Sequence, residues 1–151
     1  MHTLSSSRNS TTEKPVPFRM TSLPNGPWKG ISADFLGPLP SGEYLLVVID
    51  NYSRYPEVEV VSTTSAKQQY KIFARQGVPH ILKTDNGPPF SGHEFGKFAA
   101  HLGSRHRKVT PLWPRANGAI EQFNRCLVKV IRTAHTEGSW KQLLFKFLRM
   151  Y

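Results

Sequence analysis

Residues 84–125 read TDNGPPFSGHEFGKFAAHLGSRHRKVTPLWPRANGAIEQFNR, and this stretch decides the fold. It opens on Asp85, which ends a short apolar run begun by Ile81 and Leu82. Asn86-Gly87 and Pro88-Pro89 then force a sharp loop. Ser91, with Glu94 three residues on, predicts a capping box at the start of a helix. Phe95, Phe98, Ala99 and Leu102 follow at helical spacing, and Gly103 stops the helix. Residues 104–109 predict a strand, and TPLWPRANG (110–118) a loop. A long helix is predicted from 118 to 134, with Ile120, Phe123, Leu127, Ile131 and Ala134 as its core face. Glu121 sits in its first turn.

Upstream of this stretch the pattern is strand-rich. KGISADFL (29–36) alternates, with Ile31, Ala33 and Phe35 on one face and Ser32 and Asp34 on the other. YLLVVI (44–49) is almost continuously apolar, as in a central strand covered on both faces. YPEVEVVS (55–62) sets Glu57 and Glu59 opposite Val58 and Val60, and Pro56 suits a strand start or an edge. Short turns make these three strands antiparallel. TSAKQQYKIFAR (64–75) reads as a helix stopped by Gly77. A last helix begins near Ser139-Trp140. Residues 1–22, which include SSSRNSTTEK, have no periodicity and predict a disordered lead-in. The order β-β-β-α-β-α-β-α-α predicts an α/β domain over 23–151, with a five-stranded mixed sheet flanked by helices. The fourth strand follows a helix, so it should run parallel to the strand it joins.

The formal charge of +10 favours a polyanionic partner such as nucleic acid, or an acidic membrane surface. It is unevenly spread. Residues 101–151 hold ten Lys/Arg against two Asp/Glu, and so carry +8 of the total. The one cysteine, Cys126, excludes an internal disulfide and a Cys-rich zinc site, and fits a reducing compartment. No apolar run has the length of a membrane span. A soluble chain in the nucleus or cytoplasm is expected.

Three carboxylates stand out: Asp34 within a strand, Asp85 at a strand end and Glu121 near a helix start. If the first and fourth strands are neighbours, Asp34 and Asp85 lie side by side, and a crossing helix can bring Glu121 alongside. Carboxylates that close repel unless something neutralises them. Mg²⁺ or Mn²⁺, with oxygen ligands, is the natural counter-charge. Two such ions roughly 3.5–4 Å apart make a site for in-line displacement at phosphorus. Each acid also has a plainer reading. Asp85 before Asn-Gly serves a turn, and Glu121 complements the helix dipole. Asp34 is harder to dismiss in this way, since aspartate is disfavoured in strands. Asp50 is its rival, but its place before Asn51 points to a strand-ending turn.

Glu121, Arg125, Lys129 and Arg132 fall within about 80° on the helical wheel. Such a stripe is either a solvated face or a surface that follows phosphates. Asn117-Gly118, just before the helix, either cap it or line a substrate groove. His101 and His106 straddle a helix end with no cysteine near, so no zinc site is expected there.

With these residues assembled, the chain resembles the integrase catalytic core of gypsy-type LTR retrotransposons and retroviruses. The matching blocks are GPWKGISADFLGPLP, YLLVVIDNYSRYPEVEVV, GVPHILKTDNGPPFSGHEF and PRANGAIEQFNRCL, in continuous order. The 35 residues between Asp85 and Glu121 match the D-D-35-E spacing of that family. The resemblance implies an RNase H-like fold and a catalytic, metal-holding triad of Asp34, Asp85 and Glu121. It implies a polynucleotidyl transferase using two Mg²⁺ or Mn²⁺ ions, Asp34 and Asp85 holding one and Asp34 and Glu121 the other. Such enzymes trim the 3′ ends of element DNA, then join them to target DNA as multimers. Asn117, Gly118, Arg125, Lys129 and Arg132 would lie near the DNA. The chain departs from the family by lacking the N-terminal His/His/Cys/Cys zinc domain, by a first helix several residues short, and by stopping at FLRMY. Those departures predict a C-terminally truncated core. They leave two other readings open, a degenerate or domesticated remnant that only binds nucleic acid or protein, and an RNase H-like nuclease that cuts without joining.

Overall fold

The computed structural model describes residues 23–109, 118–137 and 139–151. The expected lead-in over 1–22, most of the 110–118 loop and Asn117 lie outside the described residues. Five strands form one sheet: β1 (Gly30–Leu36), β2 (Tyr44–Asp50), β3 (Pro56–Val61), β4 (Ile81–Thr84) and β5 (Arg105–Lys108). Their order across the sheet is β3-β2-β1-β4-β5. β1, β2 and β3 pair antiparallel, and β4 and β5 add in parallel on the other side of β1. The expected mixed five-stranded sheet is therefore present.

The alternation read from the sequence sorts the two faces. Ile31, Ala33, Leu46, Val48 and Leu82 enter a core with Ile72, Phe73, Phe90, Phe95 and Phe98. These come from a helical segment after β3, from α2 (His93–Leu102) and from the turn before α2. Leu45, Val47 and Ile49 point the other way, onto Ile120, Phe123, Leu127 and Ile131 of α3 (Gly118–Glu137) and Leu144 of α4 (Trp140–Met150). β2 is thus covered on both faces, which is why it reads as an unbroken apolar run. Ser32 and Asp34 share the α3 face with Val47 and Ile49, their register partners on β2.

Two helix starts differ from expectation. The segment after β3 is not one helix from Thr64. A 3₁₀ turn (Ala66–Gln69) runs into α1 (Tyr70–Gln76), and Gly77 ends it at φ 91°. The capping box at Ser91 does not form. α2 starts one residue later than Ser91 would set, on Gly92, which makes no side-chain cap bond. The turn after β4 claims Ser91 instead: Phe90 and Ser91 both donate their N–H groups to the Gly87 carbonyl. Gly103 closes α2 in the left-handed region at φ 76°, as its position predicted. Among the described residues, no helix is long and apolar enough to cross a membrane.

Candidate metal centre and nucleic-acid face

The parallel register pairs Ser32 with Lys83, so two residues further Asp34 lies level with Asp85. Asp34 sits near the C-terminal end of β1, partly buried on the α3 face. Asp85 follows β4 in the turn and is exposed. Its Oδ1 accepts the Gly87 N–H at 3.1 Å. A Cβ on Gly87 would meet Asp85 Oδ2 at 3.3 Å, so glycine keeps the carboxylate uncrowded. The turn role that Asp85 was open to is therefore real, and it coexists with a place beside Asp34. Glu121 is exposed in the first turn of α3.

Asp34 senses both other acids. Its carboxyl is pushed up from 3.8 to about 6, first by burial, then by the charge on Asp85, with Glu121 adding to the rise. Two hydrogen bonds oppose it, from the Phe35 backbone and from Asn124. Asn124 Nδ2 donates to Asp34 Oδ2 at 2.8 Å across 90 residues of sequence. Sequence reasoning passed over Asn124. The one signal was its position three residues after Glu121, which puts both on one side of α3.

Asp50 resolves differently, as the turn reading required. It is buried at the end of β2. Its Oδ1 accepts the N–H groups of Trp28 (3.0 Å) and Tyr52 (3.2 Å). Its Oδ2 accepts the Ser53 N–H (3.1 Å) and hydroxyl (2.6 Å). Both carboxylate oxygens are spent on structure. His106 is also occupied, with Nε2 2.7 Å from Thr84 Oγ1 and its ring against Phe95. Thr84 in turn donates to the carbonyl of Asp85 at 2.9 Å, which steadies the peptide that carries that carboxylate.

By donor chemistry and charge the three acids fit a hard divalent cation. All offer oxygen, and Asp34 is held in an environment that disfavours its negative charge. Among the described residues, no three His, Cys, Asp or Glu side chains are gathered closely enough to hold an ion between them. Asp85 and Glu121 are exposed, so rotation about their side-chain bonds is what would draw them toward Asp34.

Arg125, Lys129 and Arg132 are all exposed along α3, on the side led by Glu121. Gly118 opens α3 and lines a cleft of about 540 Å³ with Ile49, Arg54, Ala119, Gln122 and Tyr151. The first turn of α3 therefore borders both the carboxylates and this cleft.

A family profile described as integrase core domain matches residues 24–114. The uncharacterized protein K02A2.6 of Caenorhabditis elegans is 37% identical over 148 residues, covering 95% of this chain and 12% of that protein. The Gag-Pol polyprotein of feline leukemia virus is 31% identical over 115 residues, covering 72% of this chain and 7% of the polyprotein. The chain thus spans a small part of the length of these relatives. Among solved structures, it is similar to a chain of the simian T-cell lymphotropic virus intasome in complex with PP2A regulatory subunit B56 gamma. The TM-score there is 0.67 at 21% identity, over 81% of this chain and 47% of that one. It is also similar to the HTLV-2 integrase catalytic core domain in complex with magnesium, with a TM-score of 0.62 at 18% identity, over 81% and 83% of the two chains. These likenesses establish an RNase H-like fold.

Proposed function

The chain belongs to the integrase core family, and from that premise we propose that it is a divalent-metal-dependent polynucleotidyl transferase that trims and joins DNA 3′ ends. The observation that carries this reading is the state of Asp34, whose carboxyl is raised to about 6 by burial and by Asp85 and Glu121. Asp34 on β1 feels the charges of Asp85 from the turn after β4 and of Glu121 from α3, which is an arrangement stable folds avoid unless a cation is meant to enter. Asp34, Asp85 and Glu121 would hold Mg²⁺ or Mn²⁺. Such ions, when bound, supply activation of the attacking oxygen and stabilisation of the leaving one at phosphorus. The protein's own part is positional. Asn124 fixes the Asp34 carboxylate, while Thr84 and Gly87 shape the backbone that carries Asp85. Arg125, Lys129 and Arg132 give α3 a cationic side for DNA phosphates. Asn117 and Gly118 would border the bound strand. Pairing two DNA ends calls for more than one copy, so the active form is a multimer, acting in the nucleus or cytoplasm.

The test is a strand-breaking and strand-joining assay on branched DNA with Mn²⁺, comparing the chain with Glu121→Gln. Joined product from the parent alone supports the transferase. Cut but unjoined product points to the nuclease reading. No product from a chain shown to be folded would leave a remnant that only binds nucleic acid or protein.

A further inference from the structure

We propose that Arg54, Lys83 and Arg107 form a clamp for a DNA phosphodiester, placed one row below the carboxylates on the same sheet face. The proposal rests on the reading above for the identity of the polyanion. Lys83 lies on β4, an interior strand, and shares the α3 face with Ser32 and Asp34. Its register partner on β5 is Arg107. Arg54, in the turn between β2 and β3, lines the cleft at the first turn of α3 together with Ile49 of this face. Among the described residues, the ion pairs join Arg75 to Glu57 and Glu59, and Lys141 to Glu43, and none involves this cluster.

Charges on an edge strand are the ordinary means of preventing strand pairing, and taken singly they account for Arg105, Arg107 and Lys108 on β5. They do not account for a half-buried lysine on an interior strand beside Arg107. A lysine and an arginine paired on one face, neither in an ion pair among the described residues, repel one another unless an anion completes them.

The turn that supplies Arg54 is built rather than loose. The four hydrogen bonds to the Asp50 carboxylate tie Trp28, Tyr52 and Ser53 to it. Arg54 donates its N–H to the Asp50 carbonyl at 2.8 Å, and Asp50 donates its own N–H to the Tyr55 carbonyl at 3.0 Å. Arg54 is held there at φ 66°, a conformation that L side chains adopt at a cost. Tyr52 and Tyr55 flank it, both exposed, and offer rings on which a base can stack. Asn51 Nδ2 is buried without a hydrogen-bond partner. It lies near Gly30, whose place in the strand is on this face. Two residues of strand separate the Lys83 row from the Asp85 row, roughly 6.6 Å. At about 3.4 Å of rise per nucleotide, the clamped phosphate is one or two nucleotides from the reacting one.

The experiment measures binding of a short labelled DNA, duplex and single-stranded, by fluorescence anisotropy in EDTA over a range of salt. The double variant Lys83→Gln with Arg107→Gln is set beside a control of equal charge change, Lys71→Gln with Lys97→Gln, on exposed helix positions away from this face. Arg54→Ala is measured in parallel. The clamp predicts roughly tenfold weaker binding for the double variant, and a salt slope shallower by about one for each phosphate left without its cation. The control should stay near the parent. Equal losses in both doubles, or no DNA binding by the parent, would overturn the clamp. Melting temperatures check folding, and Lys83→Gln should hold or raise them because it relieves repulsion. Binding in EDTA does not depend on strand chemistry. A clamp result with no joined product would therefore sink the transferase alone, and joined product with no clamp effect would sink the clamp alone.

Discussion

Asp34 is stabilised as a neutral acid, whereas the proposed metal site would need it as an anion. Its pKa of about 6 lies above the 3.8 of the unfolded chain. Between those values the folded state keeps a proton that the unfolded state has released. The contribution of Asp34 to stability is therefore greatest below about pH 4, falls as pH rises through 6, and stays low above it. The full shift corresponds to roughly 3 kcal/mol, an upper bound because Asp34 is only partly buried. Asp34→Asn keeps an oxygen for Asn124 and removes the charge. Thermal unfolding in EDTA should show the variant more stable than the parent by about 1–3 kcal/mol at pH 7.5, converging toward the parent near pH 4. An equal effect at both pH values would mean that the carboxylate bears no electrostatic strain.

The helices and strands differ in how well their sequences declared them. β1 and β2 were legible because one alternates and the other is apolar throughout, and their buried faces match those patterns. α3 was legible from its apolar spacing, and all five expected core residues are buried. The start of α2 was not, because Ser91 satisfies the local rule for a cap while the Gly87 turn takes it into different hydrogen bonds. Asp34, Asp85 and Glu121 could be picked out singly, but their coupling depends on a register that only the sheet fixes. Asn124 and the Lys83–Arg107 pairing were hidden for the same reason. The first helical segment carries a further consequence. Gln69 is fully buried at the junction of the 3₁₀ turn with α1, and neither amide atom has a partner among the described residues. An unpaired buried amide costs roughly 1–3 kcal/mol. Gln69→Leu should raise the stability measured by urea unfolding by a comparable amount, without altering DNA binding. A loss of stability would show that the amide is satisfied in solution.

At the scale of the molecule, the acids tie together segments that are far apart in sequence. A cation on Asp34, Asp85 and Glu121 would link β1, the turn after β4 and α3, so its binding energy becomes folding energy. Asp34 must first lose its proton, which gives that linkage a pH dependence opposite to that of the metal-free chain. Below pH 6, metal competes with a proton, and affinity should rise up to about tenfold per pH unit. Above pH 6 the carboxylate is already charged and affinity should level off. Mn²⁺ should therefore raise the melting temperature clearly at pH 7.5, little at pH 5, and not at all in Glu121→Gln or Asp34→Asn. Calorimetry in two buffers of different ionisation enthalpy should find close to one proton released per binding event near pH 5 and almost none at pH 7.5. Stabilisation by Mn²⁺ of equal size at both pH values, or undiminished in the Asp34 variant, would place the cation on other residues and break the link between the raised carboxyl and the metal.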